Sequence, residues 1–174
     1  YPMLTDLAST WGDRLDQKVA RHYSQKLIKE YFDDQITVEE LNLNPYRTQD
    51  GALAIFPYAT TDLELTAFIG SMSLDNLSDD SLASYFYSSI SSSKDMLSLS
   101  QSLYGISSQT QPVLLQINSL LEDDKIPLNS QLYLGLSLIK TGDTERARVL
   151  YKTLLGKYLV TEGDFSHLKS DNDK

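Results

Sequence analysis

Asn129-Ser130-Gln131-Leu132-Tyr133-Leu134-Gly135-Leu136-Ser137-Leu138-Ile139-Lys140-Thr141-Gly142-Asp143-Thr144-Glu145-Arg146-Ala147-Arg148-Val149-Leu150-Tyr151 is the stretch that decides the fold. Leu134 and Leu138 recur at a four-residue step, as do Ala147 and Tyr151, which is the period of a helix with one buried face. Asn129 is a natural N-cap, Gly142 a natural stop, and Asp143 caps again. The spacing predicts a helix over 130–141, a tight reversal, and a second helix to about residue 158. Two helices so joined form an antiparallel hairpin.

Outward from this hairpin the chain reads as helix after helix with one interruption. Leu15, Val19, His22/Tyr23, Leu27 and Tyr31 predict a long amphipathic helix over 14–33, with Arg14, Lys18, Arg21, Lys26 and Lys29 on its outer face. Leu4–Trp11 reads as a short helix closed by Gly12, and Thr37-Val38-Glu39-Glu40 has capping-box spacing that predicts one helical turn. From Asn42 to Pro57 two prolines and an Asp-Gly pair break the pattern, with Leu53-Ala54-Ile55-Phe56 as a brief extended piece. Thr61-Asp62-Leu63-Glu64 is a second capping box, with Thr61 as the cap of a helix running to about Met72. Further helices are expected over 79–91, 94–106 and 110–122, the last with Pro112 in its first turn. The predicted class is all-α, built from antiparallel helix hairpins. Residues 1–160 are expected to form one helical domain, and 161–174 a polar C-terminal extension ending in a frayed Ser170–Lys174.

Charge narrows the function. The 174 residues carry 15 Lys+Arg against 24 Asp+Glu, a net −9, with no basic stripe to follow phosphates. Nucleic acid and anionic membrane surfaces are therefore poor partners. The excess is local: residues 37–139 hold 12 acidic and 3 basic side chains, and 15 of the 38 residues from Ser71 to Ser108 are serine. Leu82, Tyr85, Phe86, Ile90, Leu97, Leu103 and Tyr104 still recur there at helical spacing, so this middle reads as solvated helix surface over a thin apolar stripe. No stretch approaches the roughly 18 apolar residues of a membrane span. Tyr1-Pro2-Met3-Leu4 has neither a basic nor an apolar leader region, and the chain is expected to be a piece of a longer protein. Any membrane attachment would come through that longer protein.

Chemistry-bearing residues are few. There is no cysteine, which removes disulfides, thiolate metal sites and a thiol nucleophile. His22 and His167 have no companion at metal-ligand spacing. Asp33-Asp34, Glu39-Glu40, Asp79-Asp80 and Glu122-Asp123-Asp124 are adjacent carboxylates, whereas calcium loops alternate their ligands around a glycine. Tyr23, Tyr31, Tyr85, Tyr104, Tyr133, Tyr151 and Tyr158 fall on the apolar stripes, half core and half rim, and Trp11 reads equally as a packing anchor. No catalytic residue, cofactor or metal is expected.

Two family patterns are present. Leu134-Gly135, Leu138, Ala147 and Tyr151, with Gly142-Asp143 at the turn, resemble a tetratricopeptide repeat; Tyr104 and Ile117 extend the pattern upstream, where Ser100-Gln101 and Val113 depart from it. The second pattern is Gln49-Asp50-Gly51-Ala52-Leu53-Ala54-Ile55-Phe56-Pro57-Tyr58 followed by Asp62-Leu63-Glu64-Leu65-Thr66-Ala67. It resembles the bacterial α2-macroglobulin-like proteins, in which a Gln-x-x-Asp-Gly-Gly loop leads to an aromatic-Pro pair and a helix beginning near Leu-Thr/Ser-Ala. The hairpin 132–155 resembles a later hairpin of the same domain.

That resemblance implies a partial α/α toroid of the helical thioester-domain type, with Gln49, Asp50, Gly51, Phe56, Pro57, Tyr58, Asp62 and Glu64 forming a structural motif loop. It also implies an extracellular or bacterial cell-envelope location and protein partners, either proteases or neighbouring domains of the parent chain. The sequence departs from the family at Ala52, where the family has its second glycine. It departs again at Tyr1-Pro2-Met3-Leu4-Thr5-Asp6-Leu7-Ala8, where no reactive cysteine follows the Tyr-Pro. The implied role is therefore a non-catalytic scaffold for protease trapping without a thioester. A tetratricopeptide-like protein-interaction module is the alternative, and a carbohydrate-active enzyme on an α/α toroid is the third.

Overall fold

The computed structural model describes residues 1–72, 74, 80–109, 111–123 and 125–169. Among them are eight α-helices: α1 (Pro2–Ala8), α2 (Leu15–Tyr31), α3 (Leu63–Gly70), α4 (Asp80–Ser92), α5 (Met96–Ser107), α6 (Leu114–Leu121), α7 (Leu128–Lys140) and α8 (Thr144–Tyr158). The fold is all-α apart from one hairpin, β1 (Leu159–Glu162) with β2 (Phe165–Leu168).

Short loops pair α1 with α2, α4 with α5, α6 with α7, and α7 with α8, and each pair packs together. A second set of contacts joins α5 to both α3 and α7. Cross-links fix the sense of these three. Near their beginnings, the Tyr133 hydroxyl donates to Glu64 Oε1 at 2.6 Å. Near their ends, Lys140 Nζ donates to the Ser71 carbonyl and the Tyr104 hydroxyl to Ser71 Oγ, both at 2.7 Å. Asp62 and Glu64, Leu97 and Asn129, at the starts of α3, α5 and α7, also line one groove, so the three helices run the same way. The core between and beneath them contains Ala67, Ile69, Leu82, Phe86, Leu103, Ile106, Leu134 and Leu138, all buried.

Several local expectations shift for physical reasons. The cap of α3 is Asp62, not Thr61: its carboxylate accepts the Leu65 N–H at 2.9 Å, leaving Thr61 for the loop. Residues 37–40 form no helical turn. Side chains of α2 capture this backbone instead: Gln25 Oε1 accepts the Glu39 N–H and His22 Nδ1 bonds the Glu39 carbonyl, both at 2.8 Å. The buried face of α2 passes through Leu15, Val19 and Ile28, so Leu27 and Tyr31 are exposed. Trp11 is 84% exposed, with the Arg21 guanidinium 5.7 Å from its ring centre, and Tyr151 is also exposed.

Pro112 lies before α6, whose N-cap is Val113, and Asn129 lies inside α7, whose N-cap is Pro127. Asp143 caps α8 as expected, accepting the Arg146 N–H at 3.2 Å, and Gly142 reverses the chain at φ +89°. The expected polar extension from 161 contains most of the β1–β2 hairpin, which straddles the anticipated boundary at 160 and turns at Gly163, φ +61°. The expected frayed tail, residues 170–174, lies outside the described residues, as do Asp79 and Asp124 of the acidic clusters.

Gly105 sets the spacing of α4 against α5. A Cβ there would lie 2.2 Å from the ring of the buried Phe86. Alanine is about 1 kcal/mol better than glycine in a helix interior, yet the clash with a ring that cannot retreat outweighs it. Gly105→Ala is expected to lower stability by about 1–3 kcal/mol in urea denaturation; unchanged or higher stability would contradict this packing.

Candidate functional site

The motif loop is built on one short extended segment. Ala52, Leu53 and Ala54 are buried, and isolated bridges pair Arg47 with Leu53 and Ala54 with Thr61. The Ala54 N–H donates to the Tyr46 carbonyl, and the Leu53 carbonyl accepts the Asp62 N–H, both at 2.9 Å. The Leu53 N–H donates to the Thr66 hydroxyl at 3.0 Å, inside the protein, while that hydroxyl turns to the Asp62 carbonyl at 2.5 Å. On the other side, the Ile55 carbonyl accepts the Leu15 N–H at 2.9 Å, and the Tyr46 hydroxyl donates to the Asp13 carbonyl at 2.8 Å. Residues 46–55 thus join the start of α2 to α3.

The eight motif residues divide into three groups. Asp50 closes the loop: the hydroxyls of Thr48 and Thr61 both donate to its carboxylate, the second at 3.0 Å. Burial pushes the Asp50 carboxyl up, but these hydroxyls and the N–H groups of Ala52 and Asp50 outweigh it and hold it below the usual carboxylate range. Gly51 is required twice over. Its φ is +87°, and a Cβ would lie 2.7 Å from the Ser81 carbonyl oxygen. Gln49 is exposed beside them.

Phe56 and Tyr58 stack at 5.6 Å and 9° around the exposed Pro57. Asp62 and Glu64 leave the loop and belong to the first turn of α3, where carboxylates suit the helix dipole. The loop therefore acts as a latch in which Thr48, Asp50 and Thr61 satisfy one another.

Asp62 and Glu64 stand instead at the mouth of a groove of about 760 Å³ running across α3, α5 and α7. Leu65 and Phe68 line it from α3, Leu97 and Tyr104 from α5, Leu132 and Leu136 from α7. Tyr133 lies in its floor, 5.9 Å from the Tyr104 ring. Burial, followed by the hydrogen bond to Glu64, pushes the Tyr133 phenol up to about 12. A second apolar groove, of about 640 Å³, lies between α7 and α8 around Leu136, Ile139, Leu150 and Tyr151. Sequence reading placed Tyr104 and Tyr133 on apolar stripes, but not the groove. The signal was available: Leu97, Gln101 and Tyr104 follow at i, i+4 and i+7, and Asn129, Leu132/Tyr133 and Leu136 at i, i+3/i+4 and i+7. These are second stripes beside the core-facing ones.

Among the described residues no three His, Asp or Glu side chains gather as a metal site. His22 meets Tyr23 edge-on at 6.1 Å on α2, and His167 lies in β2 opposite Val160. Comparison with family models, with curated proteins and with solved structures finds no significant match to this chain.

Two outcomes are expected from this geometry. Thr66→Val keeps the core volume but leaves the Leu53 N–H buried without an acceptor, costing about 1–3 kcal/mol in urea denaturation; Thr66→Ser should restore most of it. Tyr85 is pushed up to about 12 by burial and then by the carboxylates of Asp50 and Asp62, and Tyr133 reaches the same value. Both folded values exceed the ordinary 10.0, so the stability these phenols contribute is whole below pH 10.0 and lost as pH rises through about 12. Ultraviolet titration should show tyrosines still ionising as pH approaches about 12, and Tyr133→Phe should remove part of that late phase.

Proposed function

We propose that this chain is a non-catalytic helical domain of an α2-macroglobulin-like protein of the bacterial surface or exterior. In this reading it is a partial α/α toroid that supports protease trapping by shape. The observation that carries the proposal is the seating of the Gln49–Tyr58 loop. It folds over the beginning of α3 and is held there by Thr66, where the family pattern puts its loop against an inner helix. The common sense of α3, α5 and α7, each followed by a helix of the intervening set, suits an inner layer with an outer layer around it. Without a thiol the chain cannot form the internal ester through which an attacking protease would be captured covalently. Its partners are then proteases held noncovalently, or neighbouring domains of the parent chain.

A tetratricopeptide-like interaction module is favoured by one feature. Gly135 faces Leu150 at the close approach of α7 and α8, where a Cβ would lie 3.4 Å from that side chain, and Ala147 is buried beside it. The two readings share a helical layer and differ in what surrounds it.

The test uses the whole parent polypeptide with an endoprotease. Trapping predicts that cleavage of a small chromogenic substrate continues while cleavage of a large protein substrate is blocked. It also predicts that denaturing gels show no protease covalently attached to residues 1–174. Undiminished cleavage of the large substrate would end the trapping proposal, and an attached protease would end its noncovalent form.

A further inference from the structure

The groove across α3, α5 and α7 is left open by the other described residues. Each of its helices carries two apolar stripes. One faces the core through Ala67 and Ile69, Leu103 and Ile106, or Leu134 and Leu138. The other faces the groove, where Phe68 is 52% exposed and Leu136 43% exposed. A helix needs only one apolar stripe to fold against a core, and on the second stripe each of the three helices leaves one large apolar side chain exposed: Phe68, Leu97 and Leu136.

The charges lining the groove have one sign. Asp62 and Glu64 stand at its mouth, and among the described residues no Lys or Arg lines it. Asp62 is engaged as the cap of α3, but Glu64 uses only Oε1, for the Tyr133 hydroxyl; among the described residues its other oxygen has no hydrogen-bond partner. Neighbouring helix axes lie about 8–10 Å apart, so crossing three of them covers about 16–20 Å. That is the length of roughly five or six extended residues.

From the apolar floor, the single-signed mouth and this span, we propose that the groove binds a peptide segment of a partner protein in which a Lys or Arg is flanked by apolar side chains. The cation pairs with the free oxygen of Glu64. The apolar side chains fill the space between Phe68, Leu97 and Leu136, and the Tyr104 and Tyr133 rings form the bed beneath them. The inference depends on the groove alone and stands whether or not the macroglobulin-like reading holds.

A phage-displayed library of random dodecapeptides, panned on the whole chain at low salt, tests it. Enriched peptides are expected to place Lys or Arg beside Leu, Ile, Phe or Met. By fluorescence anisotropy their affinity should fall tenfold or more in Glu64→Gln, which keeps the acceptor for Tyr133, and in Phe68→Ser, which changes a half-exposed side chain. It should also weaken as salt rises. Leu115→Ser, on the exposed face of α6, should leave binding unchanged, and circular dichroism checks that all three variants fold. The proposal is overturned by absence of enrichment, by enriched peptides that are acidic, or by peptides that bind Glu64→Gln and Phe68→Ser as well as the parent. A concentration-dependent dimer dispersed by Phe68→Ser, with no peptide enriched, would also overturn it and make a second copy of the chain the occupant.

Discussion

The open end of α3 is the constraint around which the other helices are arranged. The turn after α3 pairs the Ala67, Phe68 and Ile69 carbonyls with the N–H groups of Ser71 and Met72, and leaves the carbonyls of Gly70, Ser71 and Met72 to find partners elsewhere. Four other side chains resolve this. Lys140 of α7 takes the Ser71 carbonyl, Gln109 beyond α5 the Gly70 carbonyl at 3.2 Å, and Tyr23 of α2 the Met72 carbonyl at 2.5 Å. Tyr104 of α5 donates to Ser71 Oγ, which itself donates to the Phe68 carbonyl at 2.7 Å. A buried unpaired carbonyl would cost on the order of 1–3 kcal/mol, so α2, α5 and α7 cannot slide along α3 without exposing that cost. The Thr66 hydroxyl does the same service at the other end by holding Leu53. Isolated helices of this length are marginal in water, so α3 depends on these ties and on the burial of Ala67 and Ile69 in the core.

The acidity of the chain reads differently once its carboxylates are placed. Asp62, Asp95 and Asp143 are helix N-caps, accepting the N–H groups of Leu65, Ser98 and Arg146. Asp50 is locked by two threonine hydroxyls, and Glu64 holds Tyr133. In the middle of the chain the negative charge therefore terminates helices and closes a loop as well as solvating a surface. The described members of the acidic clusters are engaged locally in other ways: Asp33 accepts the Gln35 N–H, Asp123 accepts the Lys125 N–H, and Glu39 pairs with Arg21 at 3.1 Å.

The sequence made the helices legible because their signals are local. The α7–α8 hairpin follows directly from Leu134, Leu138, Gly142 and Asp143, and the Leu53–Ile55 extended piece from its flanking prolines and Asp-Gly. The ties of α3 were not legible, because Tyr23, Tyr104 and Lys140 reach it across 49, 33 and 69 positions. Nothing in a tyrosine's spacing says which distant carbonyl its hydroxyl will meet. Thr37–Glu40 misled because a capping box describes a local option, which Gln25 and His22 override by binding the same backbone. The β1–β2 hairpin escaped notice because nearly all its residues are exposed, so its sequence has no alternating apolar face.

α3 divides its faces among three tasks. Thr66 turns to the loop, Ala67 and Ile69 to the core, and Leu65 and Phe68 to the groove, with Glu64 at the edge. At 3.6 residues per turn, eight residues give little more than two turns, and such assignments leave almost no surface uncommitted. The groove wall at Leu65 and Phe68 and the latch at Thr66 therefore move as one rigid piece. The motif loop is consequently a structural neighbour of the groove: Asp50 spends its carboxylate on Thr48 and Thr61, and Thr66 spends its hydroxyl on Leu53 and Asp62. What the loop contributes to the groove is the fixed position of α3, and the large apolar side chains that the three helices leave exposed there are Phe68, Leu97 and Leu136.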